Sequence, residues 1–340
     1  MIEIDGSYGE GGGQIMRTSL ALASLIDEDL RIINIRCKRP KPGLAQQHLA
    51  SVRAIQEITQ AKVEGAHLGS MELIFRPGEI KPGRYKIDIG TAGSISMVLQ
   101  TLLPTCLFTG QPVELVIRGG TNVKWSPSVD YLMHVFLPII GEMGVKGNIE
   151  IQRRGYYPRG GGIVKAIIHP IVHLRELNLL ERGAVVGIKG IAHSSNLPCH
   201  IVERMAKAAK NKLNYSCNIE LECGKGFSTG TGIVLWAVGE NSLLGSGFLG
   251  EIGKKAEKVG EEASAKLIAE LKTNAPLDSH MSDQVIPYLA LAEGTSRVRV
   301  AELTNHLTTN IYVVEKILGL KFEITDECII SVKGIGLRNE

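Results

Sequence analysis

A chain of 340 residues with 44% hydrophobic and 21% charged residues has enough apolar material for one large core or two moderate ones. Its formal net charge of +3 is too small to indicate nucleic-acid binding by itself, so any RNA contact must depend on local basic clusters. Apolar runs stay well short of the roughly 18 residues that span a bilayer, and the N-terminus lacks a secretory leader, so we expect a cytoplasmic protein with no membrane partner.

The first distinctive segment, residues 5–17, leads from a predicted strand through a glycine-rich turn into a predicted helix. Such a turn can offer backbone N–H groups and a positive helix end to an anion, although glycine turns are more often structural. Glu10, Gln14 and Arg17 follow one another at spacings of four and three residues, which would align them on one helical face. A carboxylate for a divalent cation and a guanidinium for phosphate would then point the same way.

A basic loop follows, stiffened by prolines, and leads into the next predicted helix. Gln47 and His48 lie in the first turns of that helix, whose apolar positions indicate a core-facing side. A histidine at such a position is by itself more often a packing residue than a ligand. Arg39 in the preceding loop favours a contact of this region with phosphate or RNA.

A faint internal repeat predicts the architecture. A helix followed by two short strand-like runs occurs three times, at Ile55, Leu137 and Ile317. A second helix with a polar or glycine-rich opening precedes each copy. The pattern predicts three βαβαββ units with helices layered on sheets, which is an α/β fold.

The three copies are unevenly spaced, which indicates an insertion of about 100 residues. We expect a large domain of residues 1–180 plus 275–340, with a smaller α/β domain of residues 181–274 inserted before the third repeat. The charged helix near the end of the insert is interpreted as a solvated face with no catalytic role. The six cysteines of the chain form no C-x-x-C pair and are interpreted as small buried hydrophobic residues.

The most unusual string, residues 154–164, joins arginines, a tyrosine pair and three successive glycines between two predicted strands. Glycines permit a close approach of a ligand, but a tight β-turn explains them equally well. The nearby Arg153, Arg154 and Arg159 could bind phosphate, although a charge cluster is usually a solvated face.

His306 lies at the start of the last long predicted helix, whose apolar side includes Ile311 and Val314. A helix N-terminus disfavours the charged imidazolium, so we expect a neutral ring that can act as a nucleophile or a ligand. By itself, a histidine at this position more commonly caps or packs.

Taken together and in chain order, these strings resemble one family, the RNA 3′-terminal phosphate cyclases. Residues 154–164 carry the resemblance most closely, and residues 5–17, Gln47-His48, the helix of residues 90–100, Asp283-Gln284 and the string that begins at His306 extend it along the whole chain. The family's architecture is likewise one of three repeats with a smaller domain inserted before the third. The chain is thus identified as a member of that family rather than of its non-catalytic branch.

The resemblance implies a reaction that consumes ATP and acts on RNA with a 3′-phosphate end. His306 would attack ATP and hold AMP, AMP would pass to the RNA 3′-phosphate, and the neighbouring 2′-OH would displace it and leave a 2′,3′-cyclic phosphate. A divalent metal, Mg or Mn, would bind near Glu10. The nucleotide site would be lined by Gln14, Gln100, His280, Met281, Ser282, Asp283 and Gln284. Phosphate and RNA contacts would come from Arg17, Arg39, Gln47 and His48.

Three alternatives stay open at this point. The family's non-catalytic branch lacks the nucleophilic histidine, so His306 argues against it. A plain RNA-binding module would use the basic loops without catalysis. An enolpyruvyl-transferase-like enzyme has a related repeated architecture but would need neither His306 nor an adenine site. The sequence also leaves open whether the chain forms a homo-oligomer, and how His280 contacts the nucleotide where bacterial members tend to have Tyr.

Overall fold

The computed structural model describes residues 1–339, and its first unit is a four-stranded sheet with two helices. The strands are β1 (Ile2–Asp5), β2 (Leu30–Ile33), β3 (Lys62–Glu64) and β4 (Leu73–Arg76). Helix α1 (Gly13–Leu25) connects the two parallel strands β1 and β2, and α2 (Gln46–Thr59) connects β2 to β3. The strand order is β1-β2-β4-β3, with antiparallel pairing beyond β2.

The second unit has the same strand order and the same pairing directions. Its strands are β5 (Gly83–Asp88), β6 (Val113–Gly119), β7 (Lys146–Arg153) and β8 (Gly162–His169), in the order β5-β6-β8-β7. Its helical parts are α3 (Ile95–Cys106), α4 (Val129–Tyr131), a π-helical segment (Leu132–Phe136) and α5 (Leu137–Gly141). Strand β8 buries Val164, Ala166 and Ile168, because alternate side chains of a strand face the same side of the sheet.

A short strand, β9 (Asn178–Leu179), precedes a further sheet with a hydrophobic core of its own. The elements of this insert are β10 (Val185–Ser195), α6 (His200–Lys212), β11 (Cys217–Gly224), β12 (Gly230–Gly239), β13 (Leu243–Leu249) and α7 (Ala256–Lys272). The strand order is β11-β10-β12-β13, and α6 and α7 pack against each other and against the sheet. Buried Met205, Leu235 and Leu267 belong to this second core.

The third unit consists of β9 and the elements that follow the insert. These are α8 (Met281–Gln284), α9 (Ile286–Leu291), β14 (Thr295–Arg299), α10 (Asn305–Leu318), β15 (Glu323–Ile324) and β16 (Ile329–Lys333). Their strand order, β9-β14-β16-β15, again begins with a parallel pair. Since β9 pairs with β14, the insert follows the first strand of this unit rather than preceding the unit, and a two-residue strand is too short to be recognised from sequence.

The α/β fold class is confirmed. The larger core runs through all three units, and α1 packs against both α3 and α10. Buried Leu20, Leu22 and Ala23 reflect this position, because α1 meets neighbours around much of its circumference. On the basis of the two separate cores we propose the domain limits given above, 1–180 plus 275–340 and 181–274.

The cysteines differ from the expectation that all are buried hydrophobic residues. Only Cys106 of the unpaired cysteines is buried, and a disulfide joins Cys199, at the start of α6, to Cys223 on β11. This pairing depends on the neighbouring positions of α6 and β11, which the sequence spacing does not show. Within residues 1–339, every helix is too short or too polar to cross a bilayer.

Candidate active site

A cleft of about 670 Å³ opens between the large core and the inserted sheet. Its wall takes side chains from α1, α3, α7, α8, α10 and β13. The sequence-predicted site residues that line it are Gln14, Arg17, Gln100, His280, Asp283, Gln284 and His306. Those that lie beside or behind its wall are Glu10, Arg39, Gln47, His48, Met281 and Ser282. Tertiary packing thus brings Gln14 and His306, which are 292 positions apart in sequence, into contact.

His306 is the second residue of α10 and lies open to the cleft, with 54% of its side chain exposed. The Thr304 hydroxyl accepts a hydrogen bond from the Leu307 N–H at 3.1 Å, and this cap fixes where the helix begins. The imidazole is therefore presented by a capped helix start and is not packed into the core.

A chain of hydrogen bonds orients the His306 ring. Gln14 Nε2 donates to Asp283 Oδ2 at 2.8 Å, so Gln14 Oε1 faces His306 and lies 3.0 Å from Nδ1. A carbonyl oxygen only accepts, so in the neutral ring this arrangement places the proton on Nδ1 and leaves the lone pair on Nε2, which can then act as a nucleophile.

Asp283 is the buried end of this chain. Burial raises the pKa of the Asp283 carboxyl to about 7, against the lowering effects of the Arg17 charge and the Gln14 hydrogen bond. Asn310 also fixes this segment, because its amide donates to the Asp283 carbonyl oxygen at 2.6 Å. The carboxyl group that orients Gln14 therefore has a pKa well above that of an ordinary aspartate.

Arg17 contributes a buried positive charge to the wall of the cleft. Burial lowers the pKa of its guanidinium to about 10, while the Asp283 carboxylate acts in the opposite direction, so Arg17 stays charged at neutral pH. His48 packs beside it: burial, followed by the charges of Arg17 and Arg36, lowers the pKa of His48 to about 3. A neutral His48 supports Arg17 from behind without competing for an anion.

His48 also explains the glycine that begins α1. A side chain on Gly13 would collide with the His48 imidazole. The Ala45 N–H donates to His48 Nδ1 at 3.0 Å, which caps α2 and fixes the ring. The structure therefore favours a supporting role for His48, and direct phosphate or RNA contact by this residue stays a prediction.

Glu10 reaches the site differently from expectation. It lies in the turn before α1, between Gly9 and Gly11, which have φ values of 55° and 56°, and not on the helical face of Gln14 and Arg17. Its Oε2 lies 3.4 Å from His306 Nε2 and 3.4 Å from an Arg39 guanidinium nitrogen. The helical-face prediction for Glu10 is wrong, although the turn brings the carboxylate beside the imidazole.

Two polar atoms in the cleft are unsatisfied. Gln284 Oε1 and the Tyr288 hydroxyl are buried and lack a hydrogen-bond partner within residues 1–339, and both residues line the cleft with Gln100. Buried polar atoms are normally satisfied, so these two are suited to a bound ligand. Met281 and Ser282 are buried outside the wall and hold α8 in place.

Gln47 also lies outside the cleft wall. Its amide nitrogen is 3.3 Å from the sulfur of Met97, a residue that does line the cleft, and its Oε1 lies 3.5 Å from the Ser94 N–H. These contacts place the Gln47 side chain, in the first turn of α2, against the start of α3. Direct contact with RNA by Gln47 stays a prediction.

Lys266 of the insert is a site residue that sequence reasoning missed. Its Nζ donates to His280 Nε2 at 2.8 Å, and both residues line the cleft. Burial, with the Lys266 charge next in effect, lowers the pKa of His280 to about 4 and keeps this ring neutral. The helix α7, which was interpreted as a solvated face, therefore supplies a charged group to the cleft.

Arg154, from the unusual string, is not available for RNA. Its guanidinium is buried and donates to Asp130 at 2.8 and 2.9 Å and to Glu222 of the insert at 2.8 Å. Burial would lower the pKa of Arg154, but the Asp130 and Glu222 partners raise it above its ordinary value. Arg154 therefore ties the second unit to the inserted sheet.

Comparison with known proteins gives the family of the chain. A family model described as RNA 3′-terminal phosphate cyclase matches residues 8–324. The chain belongs to this family. Among its relatives, RNA 3′-terminal phosphate cyclases from Pyrococcus furiosus and Thermococcus kodakarensis are 48% and 49% identical to it, each over 95–96% of both chains. One from Pyrobaculum aerophilum is 46% identical over 98% of this chain and 99% of its own.

For a member of the cyclase family, the predicted residues fall into three groups. In the first group, Gln14 and Asp283 orient the imidazole of His306. In the second group, Arg17, Arg39 and Glu10 supply charge around that ring. The third group lies where α8 and α9 carry the unsatisfied polar atoms. The sequence gives no signal that identifies Lys266 as a site residue, because it is one of several charged residues on α7.

Proposed function

We propose that this protein converts an RNA 3′-terminal phosphate to a 2′,3′-cyclic phosphate at the expense of ATP, with His306 carrying AMP between the two substrates. The observation that carries the proposal is the orientation of His306, whose Nδ1 faces the Gln14 carbonyl oxygen and whose Nε2 keeps its lone pair beside an open cleft. A packing histidine would need neither the open cleft nor the chain to Asp283.

The proposed reaction has three steps. His306 Nε2 forms a bond to the α-phosphorus of ATP as the bond to pyrophosphate breaks. An oxygen of the RNA 3′-phosphate then attacks this phosphorus, the P–N bond breaks and RNA(3′)pp(5′)A forms. The adjacent 2′-OH loses its proton and attacks the 3′-phosphorus, AMP leaves, and the cyclic phosphate remains.

The residues of the cleft divide the tasks of this chemistry. Gln14 holds the His306 ring by Nδ1, so that the imidazole does not have to rotate before Nε2 attacks ATP. Arg17 and Arg39 offset the negative charge of the phosphates. Gln100, His280 and the unsatisfied Gln284 and Tyr288 would bind the nucleoside.

The residues around Glu10 fit the expected divalent metal. Within the described residues no group of three or more His, Cys, Asp or Glu side chains is arranged for a metal ion. Mg²⁺, however, commonly keeps several waters and takes one or two carboxylates together with substrate phosphates, so a single Glu10 beside a phosphate site suffices. With the ring proton on Nδ1, His306 Nε2 and Glu10 Oε2 are both acceptors, only 3.4 Å apart, and a cation held by Glu10 would relieve their repulsion. A bound Mg or Mn would neutralise charge on the triphosphate.

The proposed function is tested by following AMP through the reaction. Protein incubated with α-labelled ATP and Mg or Mn is expected to acquire a label that is labile in acid and stable in alkali. Addition of RNA with a 3′-phosphate should move the label to the RNA end and then to free AMP, and leave the end resistant to phosphatase. RNA binding without any incorporation of nucleotide would instead support a non-catalytic, cyclase-like RNA-binding protein. The cytoplasmic location and a homo-oligomeric state stay predictions.

Replacing Glu10 by Ala is expected to raise the metal concentration that supports half-maximal labelling by about tenfold, because the carboxylate beside His306 is lost. Glu10 lies in an exposed turn, so the thermal unfolding midpoint should change little. A metal titration of labelling measures the effect, with Glu79→Ala, an exposed carboxylate outside the cleft, as the control. An unchanged titration would remove Glu10 from the metal site.

A further inference from the structure

Trp125 is almost fully exposed to solvent, with 92% of its surface accessible, although burial of a tryptophan is strongly favoured. It lies in the loop between β6 and α4 and lines the same cleft as His306. Its φ of 60° is in the left-handed region, which bulky residues rarely occupy. An exposed aromatic ring on a strained backbone at the rim of a reaction cleft points to a ligand.

The loop that carries Trp125 is anchored on both sides. The Ser96 hydroxyl donates to the Pro127 carbonyl oxygen at 2.6 Å, and the Ser126 hydroxyl donates to the Val123 carbonyl oxygen at 3.2 Å. These bonds hold the backbone next to Trp125 against α3 and within its own turn. The indole is therefore presented outward by a braced loop.

We propose that Trp125 is the stacking platform for the base of the 3′-terminal nucleotide of the RNA, a role that rests on the proposed function. Unpaired RNA ends are commonly recognised by stacking of bases on aromatic side chains, which is tolerant of sequence. The adjacent Lys124 lies 3.2 Å from Glu251, which partly offsets its charge, and the exposed indole is the feature of this rim that suits a base.

The adenine of ATP is the other base that the cleft must hold, and the structure favours a different place for it. The unsatisfied Gln284 Oε1 and Tyr288 hydroxyl are buried and offer hydrogen-bond partners for an exocyclic amino group. Trp125 offers only an exposed face at the rim. Adenine, which would be fixed by hydrogen bonds, therefore fits beside Gln284 and Tyr288. The terminal base of an entering RNA fits on Trp125.

Loss of the Trp125 side chain should weaken RNA binding without affecting transfer of AMP from ATP to the protein. Trp125→Ala should raise the KM for an oligoribonucleotide ending in a 3′-phosphate about tenfold, while the rate and ATP dependence of protein labelling without RNA stay as in the unaltered protein. Trp125→Phe should recover most of the RNA affinity because it restores an aromatic face. Tyr215→Ala, a partly exposed aromatic residue outside the cleft, serves as the matched control.

The protein has two tryptophans, which permits a direct optical test. With Trp236 replaced by Phe, the remaining tryptophan fluorescence, excited at a wavelength that tyrosine does not absorb, comes from Trp125. This fluorescence should be quenched by the same oligoribonucleotide and not by ATP without RNA. Quenching by ATP, or a raised KM for ATP in Trp125→Ala, would assign the platform to adenine and overturn the proposal. An unchanged RNA KM in Trp125→Ala would also overturn it. Failure of the unaltered protein to label would instead contradict the proposed function.

Discussion

Replacement of His306 by Ala is expected to reduce labelling by α-labelled ATP to below about one thousandth of the level of the unaltered protein, because no other group in the cleft combines an exposed ring nitrogen with a fixed orientation. The loss should be complete at every metal concentration, since the covalent bond itself cannot form. Acid-sensitive label on denatured protein, resolved by electrophoresis, is the measurement.

His67→Ala is the matched control for this loss. His67 is exposed on the first unit and lies outside the cleft, so its removal should leave labelling unchanged. The far-ultraviolet circular dichroism of His306→Ala should match that of the unaltered protein, because the ring is exposed and Thr304 still caps α10. Full labelling of His306→Ala would show that another residue carries AMP.

Replacement of Arg154 by Met is expected to lower the free energy of unfolding by about 3–5 kcal/mol, because Asp130 would be left as a buried, unpaired carboxylate. Glu222 is half exposed and contributes less to this loss. The pairing with Arg154 also holds the pKa of Asp130 below its ordinary value against the effect of burial. Denaturant unfolding monitored by circular dichroism measures the change.

Arg204→Met provides the comparison, because Arg204 forms a similar two-bond pair with Glu257 at 2.7 and 2.8 Å but on the exposed surface. Its removal should change stability little, since water solvates both charges. Equal effects of the two substitutions would mean that Arg154 does not hold the two sheets together. Such a result would restore the possibility that Arg154 binds phosphate.

Local sequence signals predicted those parts of the site that depend on neighbours along the chain. The apolar pattern that includes Ile311 and Val314 predicted a helix starting near His306, and His306 is the second residue of α10. Gln14 and Arg17 follow the glycine turn onto α1 and do line the cleft together. The spacing of the apolar residues was also enough to predict the α/β fold class, because helices cover one face of each sheet.

The parts that sequence missed depend on contacts between distant segments. Arg154 resembled an RNA-binding arginine because its partners, Asp130 and Glu222, lie 24 and 68 positions away and leave no mark beside it. Lys266 resembled the other lysines of a solvated helix, because nothing near it in the sequence indicates its contact with His280. Glu10 was placed on a helix by spacing alone, whereas two glycines of positive φ keep it in the turn.

Peptide mapping after incubation with ATP and Mg or Mn identifies the residue that carries AMP. We expect a mass increase of one AMP on a single peptide that contains His306, and loss of that increase after RNA with a 3′-phosphate is added. An AMP adduct confined to a peptide containing Lys266, or to any peptide without His306, would show that the imidazole of His306 does not carry AMP.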